Sequence, residues 1–234
     1  GIGGSSTLAI ITYAALRKAR QVYESLPDID EQDLVNTTRD LEAHLIRIPT
    51  GCQDYWPCIR GGINLIDYKF GKTTVHTLQT DFYRQLKEWV ILYYSGKSRD
   101  SANNNWNIYQ KFFNQDQKVL DSFTELGKLS SACAQEIKNS NLEAAFKLSK
   151  EEWLVRKELW PQIETIETKK IDLAARKSGA YFTRICGAGG GGVMSIFAPP
   201  KNHQRIKSAL QNEPGHLLAA QPTGNKLTIT KEEF

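Results

Sequence analysis

The sequence lacks the features that would assign it to several large classes of protein. No apolar run approaches the roughly 20 residues that a membrane-spanning helix needs, and no secretory signal is visible. The four cysteines show no paired CxxC spacing and the four histidines no metal spacing, so neither a disulfide framework nor a zinc site is supported. A net charge of +4 is too small to indicate nucleic acid. We therefore expect a cytoplasmic protein whose partners include neither membrane nor nucleic acid.

The composition is that of an ordinary globular protein. The 234 residues are 40% hydrophobic and 24% charged, which is enough to bury a core as one large domain or two small ones. The slight excess of basic over acidic residues, 30 against 26, is compatible with an anionic metabolite. Oligomeric state is not predicted by anything in the sequence.

The first half is predicted to hold two helices and a hairpin. Three- and four-residue apolar steps predict a helix over 5–25 and another over 31–48. The expected buried face of the first is Leu8, Ile11, Ala15, Ala19 and Val22. The expected buried face of the second is Leu34, Leu41, Leu45 and Ile48, with Glu42 beside it. A loop over 49–57 follows, then a hairpin of strands over 63–70 and 73–78.

The second half is predicted to alternate between helices and strands. We expect a strand over 89–94, an exposed loop over 95–105, and helical structure over 106–160 with breaks near 114 and 139–141. A helix over 164–177 precedes strands over 180–185 and 193–197, and a helix over 199–211 precedes short strands over 216–220 and 226–229. This pattern predicts a small α/β sandwich with helices on one face of a sheet.

Two glycine runs stand out. The first is Gly1-Ile2-Gly3-Gly4-Ser5-Ser6-Thr7, directly before the first helix. Glycines let the backbone approach a phosphate, and the amides at a helix start bind anions. Such a loop normally follows a strand, and Met194 is the only methionine. We therefore expect the chain to be the later part of a larger protein, with strands preceding Gly1.

Phosphoryl transfer needs phosphate-binding amides, a hydroxyl and a carboxylate for Mg²⁺, and a group that orients the nucleophile. The first glycine run offers the amides and Ser5 a hydroxyl, while Glu42 and Asp54 offer carboxylates. Asp54 lies in the predicted loop, where reactive side chains tend to be placed. The sequence alone also allows simpler interpretations: a serine helix cap, a solvated Glu42, a turn-forming Asp54 and, for the glycines over 187–192, a tight turn between strands that needs positive φ.

These motifs together resemble the GHMP kinases, the family of galactokinase, homoserine kinase, mevalonate kinase and phosphomevalonate kinase. The first glycine run resembles that family's GLGSSA phosphate loop, and Leu41-Glu42 followed by Gly51-Cys52-Gln53-Asp54 resembles its glutamate and G-x-x-D element. The second glycine run, Gly187-Ala188-Gly189-Gly190-Gly191-Gly192, resembles its late GAGGGG motif. The sugar-kinase branch, with heptose 7-phosphate kinase and fucokinase, is the most similar.

The resemblance implies an α+β fold in two parts, with a C-terminal ferredoxin-like α/β sandwich. Residues 1–80 would be the rest of a nucleotide-binding domain and 81–234 a C-terminal kinase domain. The implied activity is ATP- and Mg²⁺-dependent phosphorylation of a sugar or sugar phosphate by in-line transfer. Acceptors outside the sugars, or a catalytically silent binding protein of the same fold, remain alternatives.

The resemblance also implies roles for particular residues. Asp54 would be the catalytic carboxylate, and Ser5 and Glu42 would bind Mg²⁺. The nucleotide would be bound by the first glycine run, namely Gly1, Gly3, Gly4, Ser5, Ser6 and Thr7. The acceptor would be bound by Gly51, Gln53, Tyr55, Arg184, Gly189, Gly190 and Gly191.

Two positions depart from the family pattern. Gly4 stands where the family usually has Ser, which leaves open whether Ser5 or Ser6 contacts the metal. Arg184 stands where sugar-branch relatives usually have Lys, and a forked guanidinium is a different phosphate ligand. Lys97 and Arg99 could contact an anionic substrate or be solvated. A basic residue that accompanies the catalytic carboxylate in the family would lie upstream of Gly1, so we expect this polypeptide alone not to turn over.

Overall fold

The structure, a computed structural model, describes residues 2–70, 72–78, 82–98 and 101–230, without the side chains of 101–105. The chain divides into two compact units. We call Gly3–Gln79 with Thr223–Phe234 the N-terminal unit, and Thr80–Pro222 the C-terminal unit. The functional division into a nucleotide-binding and a kinase domain stays a prediction. In the part of the chain that is described, no helix combines the length and apolar character needed to cross a membrane.

Helices account for most of the regular structure in the described residues. They are α1 Gly4–Glu24, α2 Glu31–Ile46, α3 Tyr55–Arg60, α4 Phe82–Trp89, α5 Ser101–Phe113, α6 Gln117–Lys138, α7 Leu142–Leu159, α8 Ile166–Lys177 and α9 His203–Ala209. The strands are β1 Asn64–Lys69, β2 Lys72–Thr77, β3 Val90–Tyr94, β4 Phe182–Ile185, β5 Val193–Phe197 and β6 His216–Leu218. Single turns of 3₁₀-helix cover Pro161–Ile163, Pro200–Asn202 and Leu210–Asn212.

The N-terminal unit packs α1, α2 and α3 around one core beside the antiparallel hairpin of β1 and β2. Asp30 begins α2 as its N-cap, because its side chain accepts a hydrogen bond from the Asp33 amide. The buried apolar residues of this core are Ile10, Ala14, Leu34, Val35, Cys52, Tyr55, Trp56 and Ile59. The core therefore joins the helix that follows the first glycine run to the segment around Asp54.

The predicted faces of α1 and α2 are largely wrong. Leu8 and Val22 are 64% and 59% exposed, and Leu45 is 80% exposed. The buried residues are Ser6, Ile10 and Ala14 on α1, and Leu34, Val35 and Thr38 on α2. Apolar residues occur on more than one face of α1, and its contacts with α2 and α3 select the face on which small residues permit close approach.

The C-terminal unit contains an antiparallel sheet with the strand order β4-β5-β3-β6. Its buried core includes Trp153 from α7, Ile171 from α8 and Ile206 from α9, packed with apolar residues of the sheet. The predicted α+β class is confirmed. One inner strand of this sheet, β3, lies about 90 residues before β4 and β5 in the chain.

Most predicted elements are confirmed, and three predictions are wrong. Residues 226–229 form no strand, and the segment instead reaches α3, where the Leu227 amide donates to the Cys58 carbonyl at 2.8 Å. The loop predicted over 95–105 ends early because α5 begins at Ser101. The predicted loop over 49–57 includes the start of α3, and α4 was not predicted. Helices this short have too few turns for a periodic pattern.

The second glycine run joins β4 to β5 and packs tightly inside the C-terminal unit. Its glycines at 187, 189, 190, 191 and 192 all have positive φ. The Gly190 amide donates to the Ile163 carbonyl at 2.9 Å, and the Gly192 amide donates to the Lys97 carbonyl at 2.9 Å. A Cβ added at Gly189 would lie 3.0 Å from the Ile163 carbonyl oxygen and overlap the Ile163 side chain. The packing as well as the turn therefore requires glycine.

We predict that Gly189→Ala lowers the free energy of unfolding of the chain by about 2–4 kcal/mol, the sum of a left-handed backbone penalty and steric overlap. Gly127→Ala is the matched control, because Gly127 lies within α6 and a Cβ added there meets no heavy atom within 4 Å. We expect the control to raise stability by up to about 1 kcal/mol. Urea unfolding of both variants would measure this, and equal midpoints would contradict the prediction.

Candidate functional site

The start of α1 carries the backbone amides expected to bind phosphate. Gly3 adopts a left-handed conformation with φ 74° and precedes the helix as its N-cap residue. The first helical hydrogen bond joins the Thr7 amide to the Gly3 carbonyl at 2.8 Å, and amides before that bond have no intrahelical acceptor. The first turn of α1 contains no acidic side chain, which favours an anion there. Gly1, also predicted to bind nucleotide, lies outside the described residues.

Asp54 lies directly against this helix start. A Cβ added at Gly3 would lie 3.2 Å from Asp54 Cβ and 3.4 Å from Asp54 Oδ2. Gly3 therefore permits a close approach as well as a left-handed turn. The structure brings together the first glycine run and the predicted catalytic carboxylate, which are about 50 residues apart in the chain.

Glu42 forms the second contact between these segments. It follows Leu34 and Thr38 at four-residue steps on α2, which brings it to the edge of the buried face. The Ser6 hydroxyl donates to Glu42 Oε2 at 3.4 Å. Ser5 is exposed. Of the two serines that the sequence left open, Ser6 is the one that contacts Glu42, and the metal-binding role of Ser5 stays a prediction.

Tyr55 lies beneath the site. Its side chain is fully buried and its hydroxyl donates to Glu42 Oε2. Burial, together with the hydrogen bond to Glu42, raises the pKa of the Tyr55 phenol well above its ordinary value. The first turn of α3 directs the Tyr55 side chain into the core. The predicted role of Tyr55 in binding the acceptor stays a prediction.

Cys58 is a site-adjacent residue that the sequence prediction missed. Its Sγ lies 2.9 Å from the Thr7 hydroxyl, and it donates to the Asp54 carbonyl at 3.3 Å. It therefore bridges the first turn of α1 and the residue before α3. Had α3 been predicted, the four-residue step from Asp54 to Cys58 would have indicated this neighbourhood.

The remaining N-terminal residues predicted to bind the acceptor are Gly51 and Gln53. Both are exposed. The Gln53 side chain folds back over Gly51, where a Cβ added at Gly51 would overlap its amide oxygen. Their roles stay predictions.

Arg184 is held within the C-terminal unit by several partners. Its Nη2 lies 3.0 Å from Glu152 Oε2, its Nη1 donates to the Ser149 hydroxyl at 3.0 Å, and its guanidinium lies 5.9 Å from the Trp153 ring centroid. Arg156 also donates to Glu152, through Nε and Nη2. Two arginines thus share one buried carboxylate, which leaves the group with a net positive charge. An acceptor contact by Arg184 stays a prediction.

Two amides of the second glycine run already have acceptors within the C-terminal unit, and the roles of Gly189, Gly190 and Gly191 in binding the acceptor stay predictions. The amides of Gly190 and Gly192 already donate to carbonyls of the same unit, and Gly189 and Gly191 are buried. The close approach that these glycines permit is to the chain itself. Lys97 pairs with Glu167 at 3.7 Å while its side chain stays 52% exposed, and Arg99 lies outside the described residues.

The donor set near α1 fits Mg²⁺ better than a transition metal. Ser6 and Glu42 offer oxygen ligands, which hard cations prefer. Within the described residues, no three His, Cys, Asp or Glu side chains group as a metal cluster. A Mg²⁺ that accompanies a nucleotide typically takes one or two protein ligands, with phosphates and waters as the others. The site therefore fits a nucleotide-bound cation.

Comparisons with known proteins bear on this geometry. No family model matches the chain. A D-glycero-alpha-D-manno-heptose 7-phosphate kinase of Campylobacter jejuni is 22% identical over 220 residues, which are 93% of this chain and 63% of that protein. A crystal structure of a putative sugar kinase from Campylobacter jejuni superimposes with a TM-score of 0.71 at 21% identity, over 96% of this chain and 63% of the other. The chain has the GHMP kinase fold.

Other GHMP kinase structures agree. The D-glycero-D-manno-heptose 1-phosphate kinase of Bacteriodes thetaiotaomicron matches with a TM-score of 0.65 at 15% identity, over 92% of this chain and 60% of that one. Mevalonate kinase of L. major, solved with R-mevalonate, matches with a TM-score of 0.66 at 13% identity, over 88% and 61%. The predicted resemblance to GHMP kinases is confirmed. The chain spans less than two thirds of the length of these relatives.

The two glycine-rich motifs that resemble those of GHMP kinases lie in different units. Residues 3–7 of the first glycine run, with Glu42 and Asp54, belong to the N-terminal unit, and the second glycine run belongs to the C-terminal unit. Their predicted convergence on one cleft stays a prediction.

We predict that Glu152→Ala lowers the free energy of unfolding by about 2–3 kcal/mol, because Arg156 and Arg184 would lose a shared and largely buried counter-charge. Glu158→Ala is the matched control on the same helix, where the glutamate is exposed; we expect a change within about 0.5 kcal/mol. Chemical denaturation would compare them. Equal losses of unfolding free energy in the two variants would show that the pairs of Glu152 with Arg156 and Arg184 contribute no more to stability than an exposed glutamate does.

Proposed function

We propose that the protein carrying this chain is an ATP-dependent kinase that phosphorylates a hydroxyl group of a sugar or sugar phosphate. The observation that carries this proposal is the close approach of Asp54 to Gly3 at the start of α1. A carboxylate beside a set of helix-terminal amides is the arrangement that phosphoryl transfer needs, because the amides bind the phosphates and the carboxylate acts on the acceptor.

The proposed roles follow from chemistry. The amides at the start of α1 hold the phosphates of ATP, and Asp54 orients the acceptor hydroxyl and accepts its proton as the bond to phosphorus forms in line with the leaving group. Ser6 and Glu42 hold Mg²⁺, which would neutralise phosphate charge. Thr7 and Cys58 keep α1 in register with the Asp54 segment through their mutual contact.

The choice of a sugar rests on sequence rather than on fold. The TM-scores for the heptose 1-phosphate kinase and the mevalonate kinase, 0.65 and 0.66, do not separate the two acceptor classes. The curated relative acts on a heptose 7-phosphate, according to its name. Together with the sugar-branch motifs, this favours a phosphorylated sugar. An ATP-dependent enzyme with four free cysteines also favours the cytoplasm as its place of action.

We predict that the whole protein, incubated with ATP and Mg²⁺, releases ADP in the presence of a heptose or hexose, free or phosphorylated, and not in the presence of mevalonate. A coupled ADP assay over a panel of these acceptors would measure this. ADP release in the presence of mevalonate, and with none of the sugars, would support the alternative in which the acceptor is not a sugar. Equilibrium ATP binding without ADP release for any acceptor would instead select a catalytically silent binding protein.

We predict that Asp54→Asn lowers turnover by about 10²–10⁴-fold, because the asparagine side chain cannot take up the proton of the substrate hydroxyl. The Kd of ATP is expected to change less than threefold. Asp67→Asn is the matched control, since Asp67 lies on β1 in an exposed pair with Lys69. We expect it to leave both quantities unchanged. Steady-state kinetics and equilibrium nucleotide binding would separate the two effects, and undiminished turnover in Asp54→Asn would remove Asp54 from the mechanism.

A further inference from the structure

Three side chains from three helices meet at one carboxylate oxygen. The hydroxyls of Tyr55, on α3, and Ser6, on α1, both donate to Oε2 of Glu42, on α2. One carboxylate oxygen of Glu42 therefore joins α1, α2 and α3.

The two hydrogen bonds are arranged asymmetrically with respect to the carboxylate. Both hydrogen bonds that the described residues make to Glu42 go to Oε2. A carboxylate held through one oxygen keeps the lone pairs of its other oxygen for a further ligand. A serine hydroxyl that donates its proton to a carboxylate likewise keeps its own lone pairs. The arrangement thus leaves two oxygens, Glu42 Oε1 and Ser6 Oγ, with the capacity to accept a cation.

We infer that Tyr55 is a positioning residue, whose hydroxyl fixes the Glu42 carboxylate so that its second oxygen and the Ser6 hydroxyl bind a divalent cation together. The inference rests on the proposed function, because that function requires a cation beside the nucleotide. A metal-coordinating side chain that a neighbour holds in place binds the cation more tightly, because the coordinating side chain loses less conformational freedom when the cation binds.

The position of Tyr55 in the chain adds a consequence. Tyr55 directly follows Asp54, and the Tyr55 side chain is completely buried while Asp54 lies against Gly3. The start of α3 therefore places both the carboxylate proposed to act on the acceptor and the hydroxyl that orients Glu42. A shift of α3 would move both together.

The test is Tyr55→Phe, which removes the hydroxyl and keeps the ring in the core. Mn²⁺ serves as the probe, titrated into the whole protein with and without ATP and followed by the EPR signal of the free ion. We expect the variant to bind Mn²⁺ about tenfold more weakly, the effect of one hydrogen bond to a charged group. The affinity for ATP in EDTA is expected to stay within twofold, because the amides of α1 are unchanged.

Tyr93→Phe is the matched control. The Tyr93 hydroxyl is also buried and donates to the carbonyls of Leu210 and Glu213, but it lies on β3 in the C-terminal unit. Both variants are expected to lower the unfolding midpoint, since each loses buried hydrogen bonds, and only Tyr55→Phe is expected to weaken Mn²⁺ binding. A Mn²⁺ affinity in Tyr55→Phe equal to that of the wild type overturns the inference.

A double-mutant cycle with Glu42→Ala shows whether Tyr55 acts through Glu42. In the Glu42→Ala background, Tyr55→Phe is expected to cause no further loss of Mn²⁺ affinity, and an additive loss overturns the inference. The wild type shows separately whether the proposed function fails. If the wild type binds Mn²⁺ through Glu42 but transfers no phosphoryl group, the proposed kinase function is refuted and the inferred role of Tyr55 is not. A wild type that binds neither Mn²⁺ nor its ATP complex refutes both.

Discussion

The N-terminal unit depends on a close approach between the backbone at Gly3 and the side chain of Asp54. With 3.2 Å between Asp54 Cβ and the position of an added Cβ, a residue with a side chain at position 3 would crowd Asp54 and adopt an unfavourable left-handed conformation. The contact fixes where α1 begins relative to α3. The hydrogen bonds from Ser6 and Thr7 then follow, because both side chains lie in the first turn of α1.

The core of the N-terminal unit supports this approach from the other side. Ile10 is one turn beyond Ser6 on α1, Val35 is two turns before Glu42 on α2, and Trp56 is two residues after Asp54; all are at most 2% exposed. Ser6, Glu42 and Asp54 are thus each within about two turns of a fully buried anchor in the same segment of the chain. Close packing of such anchors restricts the movement of the polar groups at the edge of the core. Binding geometry and folding stability consequently depend on the same residues.

The sequence predicted local features well and contacts between segments poorly. The helix after the first glycine run, the β1–β2 hairpin and the breaks near 114 and 139–141 follow from turn residues and periodicity, which are local properties. The buried face of α1 could not be predicted, because it is selected by α2 and α3. For the same reason the sequence could not choose Ser6 over Ser5, nor direct Tyr55 toward Glu42.

The two glycine runs show that similar compositions can serve different backbone contacts. In the first, one left-handed glycine precedes a helix whose initial amides have no partner in that helix. In the second, five glycines with positive φ form a hairpin connection, and two of their amides donate to carbonyls of the same unit. The first run can offer amides to an anion, whereas the second uses amides to join β4 and β5 to the segments around Ile163 and Lys97. A glycine-rich motif therefore indicates close approach, and only the surrounding chain determines whether the approaching group is a ligand or the protein itself.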